Sequence, residues 1–208
     1  MTADSGATRA WVRMPSGKRL DLLDPRPGDW EDEDLALGLA RTYRWGGHSI
    51  WPLPLSVAQH SITVMLLRRA ASSTPLAAPA ELRELLHDAE EGLLGFDCIS
   101  VLKPFLGEGF RELNARLARA VFLRYGLPAW TPDEYAAHKL ADRQAAASEA
   151  VRVGGWSVDE VLHTLKICVP PLAVDPLVAM YGCEAWAPWS PELACARFLA
   201  QLERLKAR

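Results

Sequence analysis

This sequence lacks paired cysteines, a long apolar run and an excess of positive charge, and each absence removes a class of protein. Its four cysteines, Cys98, Cys168, Cys183 and Cys195, form no C-x-x-C pair, so neither a disulfide framework nor a thiolate zinc site is expected. They read as mostly buried small hydrophobes of a reducing compartment. No stretch approaches the roughly 20 apolar residues of a membrane span. The opening MTADSGATRAWVRM has no apolar core of the signal-peptide kind, and a soluble, cytoplasmic protein is expected. A net charge of -3 and a pI near 6.0 leave no electrostatic footprint for duplex nucleic acid, while still permitting a local basic pocket for a small anion. Internal repeats and low-complexity tracts are also missing.

What remains is a chain of 208 residues, half of them hydrophobic, enough for one compact domain with a substantial core. Residues 1–9 read as a disordered N-terminus and 10–208 as a single domain. Trp11 and Val12, the Pro15-Ser16-Gly17 turn, then Leu20 and Leu22 predict a hairpin over 10–23. Two prolines and a glycine make 24–29 a loop. Apolar periodicity predicts helices over 33–42, 56–71, 81–95, 110–125, 132–151, 157–168 and 190–206. Ser56 and Thr131 are the expected N-caps, Pro132 sits in a first turn, and Gly126 and Pro128 end the 110–125 helix. The fold class is therefore all-α, a helical bundle with a small N-terminal β-hairpin.

Chemistry concentrates in ELRELLHDAEEGLLG, residues 81–95. His87 and Asp88 are adjacent, and Glu91 returns to their side one helical turn on. His60 lies in the middle of the 56–71 helix and Asp142 in the middle of the 132–151 helix, where a bundle would turn ligands inward. Two imidazoles and two carboxylates suit one divalent ion such as Mn, Co, Ni, Fe, Zn or Mg. Such an ion can acidify water and offset phosphoryl charge. Glu91 is the candidate to orient or deprotonate that water, and Arg44 and Lys103 are candidate partners for anionic oxygens.

In the order His60, His87-Asp88, Asp142, these residues resemble the signature of the HD-domain metal-dependent phosphohydrolases. The words RWGGH (44–48), SVAQHS (56–61), LLHDAEEGLLG (85–95), the Lys103 loop and KLADR (139–143) are similar to its small bacterial 5'-deoxynucleotidase-like branch, over most of the chain. The resemblance implies an HD helical bundle in which His60, His87, Asp88 and Asp142 bind the metal and Glu91 assists water. It implies that Arg44 contacts phosphate and that Trp45 helps select deoxyribose, with Trp51 as a rival that stacks on the base. The family's aspartate after the x-x-E turn corresponds to Asp97, one residue later than usual. The implied activity is hydrolysis of a phosphate ester or anhydride of a (deoxy)nucleotide. A 5'-deoxynucleotidase is the first reading and a (deoxy)nucleoside triphosphate triphosphohydrolase the alternative. An HD-type di-iron oxygenase, or a nucleotide-binding module without turnover, are the rivals from other classes.

The remaining signals are weaker. His48 follows two glycines and is a candidate substrate contact. His138, four residues before Asp142, either reaches the site or is a partly exposed surface residue, and His163 reads as structural. The acidic run 29–34 reads as a solvated helix N-terminus. Trp130, Trp156, Trp186 and Trp189 read as core or dimer contacts. A homodimer through the amphipathic 110–125 helix is one expected assembly.

Overall fold

The computed structural model describes residues 10–99 and 102–207; the expectation of disorder over residues 1–9 lies outside them. Strands β1 (Trp11–Arg13) and β2 (Arg19–Asp21) pair antiparallel with Val12 opposite Leu20. Gly17, at φ 90°, makes the turn between them. The backbone amide and hydroxyl of Ser16 both donate to the carboxylate of Asp34, which ties the hairpin to helix α1 (Asp32–Arg41). The acidic run is thus not simply solvated. Asp34 is buried, and Asp32 accepts from Arg124 and Tyr125.

Helix α2 (Val57–Ala71) is capped by Ser56, whose side chain accepts from the Gln59 amide. It is buried over most of its length and packs against α1 and against the later helices α3, α6, α8 and α9. The helix expected over 81–95 is two pieces, α3 (Ala78–Leu85) and α4 (Ala89–Leu94). Between them Leu86 (φ -100°, ψ 14°) and Asp88 (φ -115°, ψ 25°) leave helical geometry. Helices α1 and α4 meet backbone to backbone, since a Cβ on Gly38 would lie 2.2 Å from the carbonyl oxygen of Gly92.

Helix α5 (Gly107–Tyr125) begins three residues before the expected start and ends at Gly126, left-handed at φ 58°. A 3-10 turn over Lys103–Phe105 precedes it. Helix α6 (Pro132–Arg152) starts with a full capping box between Thr131 and Glu134. Helix α7 (Val158–His163) stops short of the expected Cys168, because Lys166 turns left-handed at φ 58°. Helix α8 (Pro176–Tyr181), capped by Asp175, was not visible as a separate element in the sequence pattern. Helix α9 (Pro191–Lys206) closes the fold from its Ser190 cap. The fold is mostly helical, with one small antiparallel hairpin.

The core collects Trp30, Leu35, Ile62, Met65, Leu85, Leu117, Phe198 and Leu202. Trp189 joins it, whereas Trp130, Trp156 and Trp186 stay half-buried. Of the cysteines, all free, Cys98 is buried as expected, but Cys168 is exposed on the segment after α7. Among the described residues no helix is long and apolar enough to cross a membrane.

Candidate functional site

Three helices and one break build the site. His60 projects from the middle of α2 and is fully buried. His87 and Asp88 come from the break between α3 and α4. In an unbroken helix consecutive side chains diverge by about 100°; the break lets both turn toward His60. The two imidazole centroids are 5.3 Å apart, and candidate ligand atoms of His60, His87 and Asp88 lie within 4.8 Å of one another. Asp142 arrives from α6 with Oδ1 3.5 Å from His60 Nε2, and Asp88 Oδ2 is 3.6 Å from the same nitrogen.

The outer nitrogen of each ring is held. His60 Nδ1 lies 2.6 Å from a Glu149 carboxylate oxygen, and His87 Nδ1 lies 2.9 Å from the Glu84 carbonyl. The inner Nε2 atoms are buried and face carboxylates: His60 Nε2 looks to Asp88 and Asp142, and His87 Nε2 lies 3.0 Å from Asp88 Oδ2. That is the pattern of metal-binding histidines, one ring nitrogen donating to an oxygen while the other keeps its lone pair for the ion. The donor set of His60, His87, Asp88 and Asp142 therefore fits a divalent cation.

Electrostatics agree with the geometry. Burial and Arg44 would depress His60, but the Glu149 and Asp142 carboxylates outweigh them and hold it at about 10. For Asp88, burial opposes ionisation, yet His87 and His60 draw its carboxyl well below the usual range. For Asp142, burial is likewise overcome by the hydrogen bond and charge of His60. Glu91 goes the other way: burial, then the charges of Asp88 and Asp97, push it up to about 10. A cation at this place would supply the positive charge that the protons provide without it.

Beside the ligands opens a cavity of about 470 Å³. Asp88, Asp142 and Glu91 line it, together with Arg44, Trp45, Asp97 and Lys103. Lys103 Nζ is 3.6 Å from Glu91, and Arg44 Nη1 is 3.8 Å from Asp97. Asp97 thus lies at the site despite its shifted spacing. Trp45 takes a left-handed backbone, φ 58°, in the 3-10 turn Arg44–Gly47, and this turns Arg44 inward beside it. The far wall carries Lys139, Arg143 and Lys166. Lys139 pairs with Asp142.

Two candidates fall elsewhere. His48 is exposed, and Trp51 spends its indole N–H on the Arg152 carbonyl at 2.9 Å; neither lines the cavity. His138 is no surface residue. It is buried against His87, centroids 4.9 Å apart, with Nδ1 2.8 Å from Glu84, which also takes Arg68. His163 is exposed, 3.4 Å from Asp159. Sequence reasoning missed Glu149 and Glu84. Glu149 stands seven residues, two helical turns, after Asp142 and so shares its face, the one available signal.

No family model matches the chain. It is 46% identical over 153 residues to the uncharacterized protein RCAP_rcc00048 of Rhodobacter capsulatus, a match covering 73% of this chain and 77% of that one. The chain belongs to the family of that protein.

Proposed function

We propose that this protein is a divalent-metal-dependent phosphohydrolase of the HD type, acting on (deoxy)nucleotides and first of all as a 5'-deoxynucleotidase. The observation that carries the reading is the convergence of His60, His87, Asp88 and Asp142, whose two carboxylates reach the wall of a cavity that Arg44 and Lys103 also line. A bound divalent ion would supply water activation and charge neutralisation at a phosphoryl group. The protein's own residues do the rest. Burial and its acidic neighbours keep Glu91 protonated on their own; the charge of a bound cation would ionise it, and as a carboxylate it would receive the proton of the attacking water. Arg44, fixed by carboxylates behind it, and Lys103 offset charge on the phosphoryl oxygens. Trp45 walls the sugar side.

A triphosphate substrate is the second reading, favoured by one observation. Arg143 and Lys166 line the same cavity and form no ion pair among the described residues; they could receive phosphates beyond the first.

The test is product analysis on a panel of ribo- and deoxynucleoside mono- and triphosphates with Mn²⁺, Co²⁺, Mg²⁺ or EDTA. Inorganic phosphate from a monophosphate supports the first reading, and triphosphate from a nucleoside triphosphate supports the second. No metal-dependent cleavage, with metal bound, removes both and leaves the oxygenase or a binding module.

A further inference from the structure

Among the described residues, Glu149 is the one carboxylate that bonds both His60 and Arg44. It is buried on α6, with Oε1 2.6 Å from His60 Nδ1 and Oε2 3.2 Å from Arg44 Nε. Each contact has a separate consequence. The first holds a proton on Nδ1, so that Nε2, which faces Asp88 and Asp142, is the nitrogen left to bind a cation once its own proton is displaced. The second occupies the inner edge of the guanidinium and leaves its outer nitrogens for Asp97 and the cavity.

We propose that Glu149 is a positioning residue that sets the His60 tautomer and the aim of Arg44 together, so that the metal site and the anion site share one strap. The inference rests on the phosphohydrolase reading above.

The chemistry of the position makes it specific. Both neighbours donate, so both oxygens of residue 149 must accept. Glutamine has the same shape but one acceptor and one donor group. If its amide nitrogen faces His60, the ring must accept on Nδ1 and carry its proton on Nε2, which blocks the ligand atom. Facing Arg44 instead, it sets donor against donor and the guanidinium loses its anchor. Aspartate, one methylene shorter, cannot span both partners.

The experiment uses Glu149→Gln with Glu81→Gln as a matched control. Glu81 is likewise a buried helix glutamate, and it takes Arg69 and Arg204 rather than any residue of the site. Calorimetry of metal-free protein with Mn²⁺, and of Mn²⁺-loaded protein with inorganic phosphate, reads the two sites. Glu149→Gln is expected to lose about 10–100-fold in Mn²⁺ affinity, the usual effect of removing a metal ligand's hydrogen-bond partner, and roughly tenfold in phosphate affinity. Glu81→Gln is expected to lower the thermal midpoint with both affinities within about threefold of wild type.

If Glu149→Gln loses only thermal stability, the strap is overturned while the phosphohydrolase reading stands. Wild-type protein that takes up no Mn²⁺ overturns both. Should Glu149→Gln fail to fold, nitrogen-15 NMR of Zn²⁺-loaded wild type decides. A hydrogen-bonded, exchange-protected proton on His60 Nδ1 is expected, and a proton on Nε2 refutes the assignment.

Discussion

Replacing Gly38 by alanine adds a single methyl group at the α1–α4 contact, and it should damage the site. A Cβ there would lie 2.2 Å from the Gly92 carbonyl oxygen and 3.0 Å from its carbon. A carbon and an oxygen settle at about 3.3 Å or more, so α1 and α4 must part by about 1 Å. The obstacle is backbone and cannot swing aside. Overpacking of this kind costs about 1–3 kcal/mol, while alanine in a helix interior gains about 1 kcal/mol over glycine. With backbone as the obstacle the cost falls at the upper end, and a net loss of about 2 kcal/mol follows. For a chain this long that is a drop of about 4–8 °C in Tm.

The functional effect should be larger in proportion. Asp88 is the N-cap of α4 and Glu91 its third residue, so moving α4 displaces both relative to His60. A misplacement of about 1 Å can cost 10²-fold in rate. Urea unfolding, Mn²⁺ calorimetry and turnover would be measured beside Gly109→Ala. That glycine lies near the start of α5 with nothing within 4 Å of its added Cβ, and its replacement should be neutral or stabilising by up to about 1 kcal/mol. Gly38→Ala with wild-type stability and metal affinity would refute the claim that the α1–α4 contact sets the site.

Three further outcomes are expected. Asp88→Ala abolishes Mn²⁺ binding, whereas Glu91→Ala keeps the metal and loses turnover; activity retained in Glu91→Ala removes its role with water. In EDTA the protein should lose stability as pH rises. His60 is held at about 10 against an ordinary 6.5, and Glu91 at about 10 against 4.5, so their contributions are complete below those ordinary values and vanish on the way to pH 10. Mn²⁺ should flatten that fall, as thermal melts from pH 6 to 10 would show; a flat profile in EDTA contradicts the charge balance described. Trp51→Phe removes the hydrogen bond to Arg152, costs about 1 kcal/mol or less and leaves KM unchanged; a large KM effect would return Trp51 to the base-stacking role.

Much of this was legible in the sequence because it depends on local chemistry. Ser56, Thr131, Ser157 and Ser190 all cap helices whose starts they announce, and Gly126 ends α5 as its lack of a side chain suggests. His60, His87, Asp88 and Asp142, spread over more than 80 residues of sequence, stand together. What escaped was set by tertiary contact. The break at Leu86–Asp88 carries no proline or glycine; the histidine's fit to Glu84 and the site holds it. His138 reads from its own helix as either a site residue or a partly exposed one, and it is buried because Glu84, His87 and Trp130 close around it. Glu149 looked like an ordinary helix glutamate until His60 and Arg44, more than 80 residues away in sequence, were placed beside it.

The distribution of ligands along the chain has a consequence for synthesis. His60, His87 and Asp88 leave the ribosome well before Asp142, and Glu149, which aligns His60, follows later still. Helix α2, which carries His60, is covered by α9 as well as α3 and α6, so its burial waits until α9 has been made. Before then a growing polypeptide would offer passing cations only a partial, unshielded set of donors. A cation held by all four residues would be taken up only once the long-range contacts that bring α6 to α2 have closed.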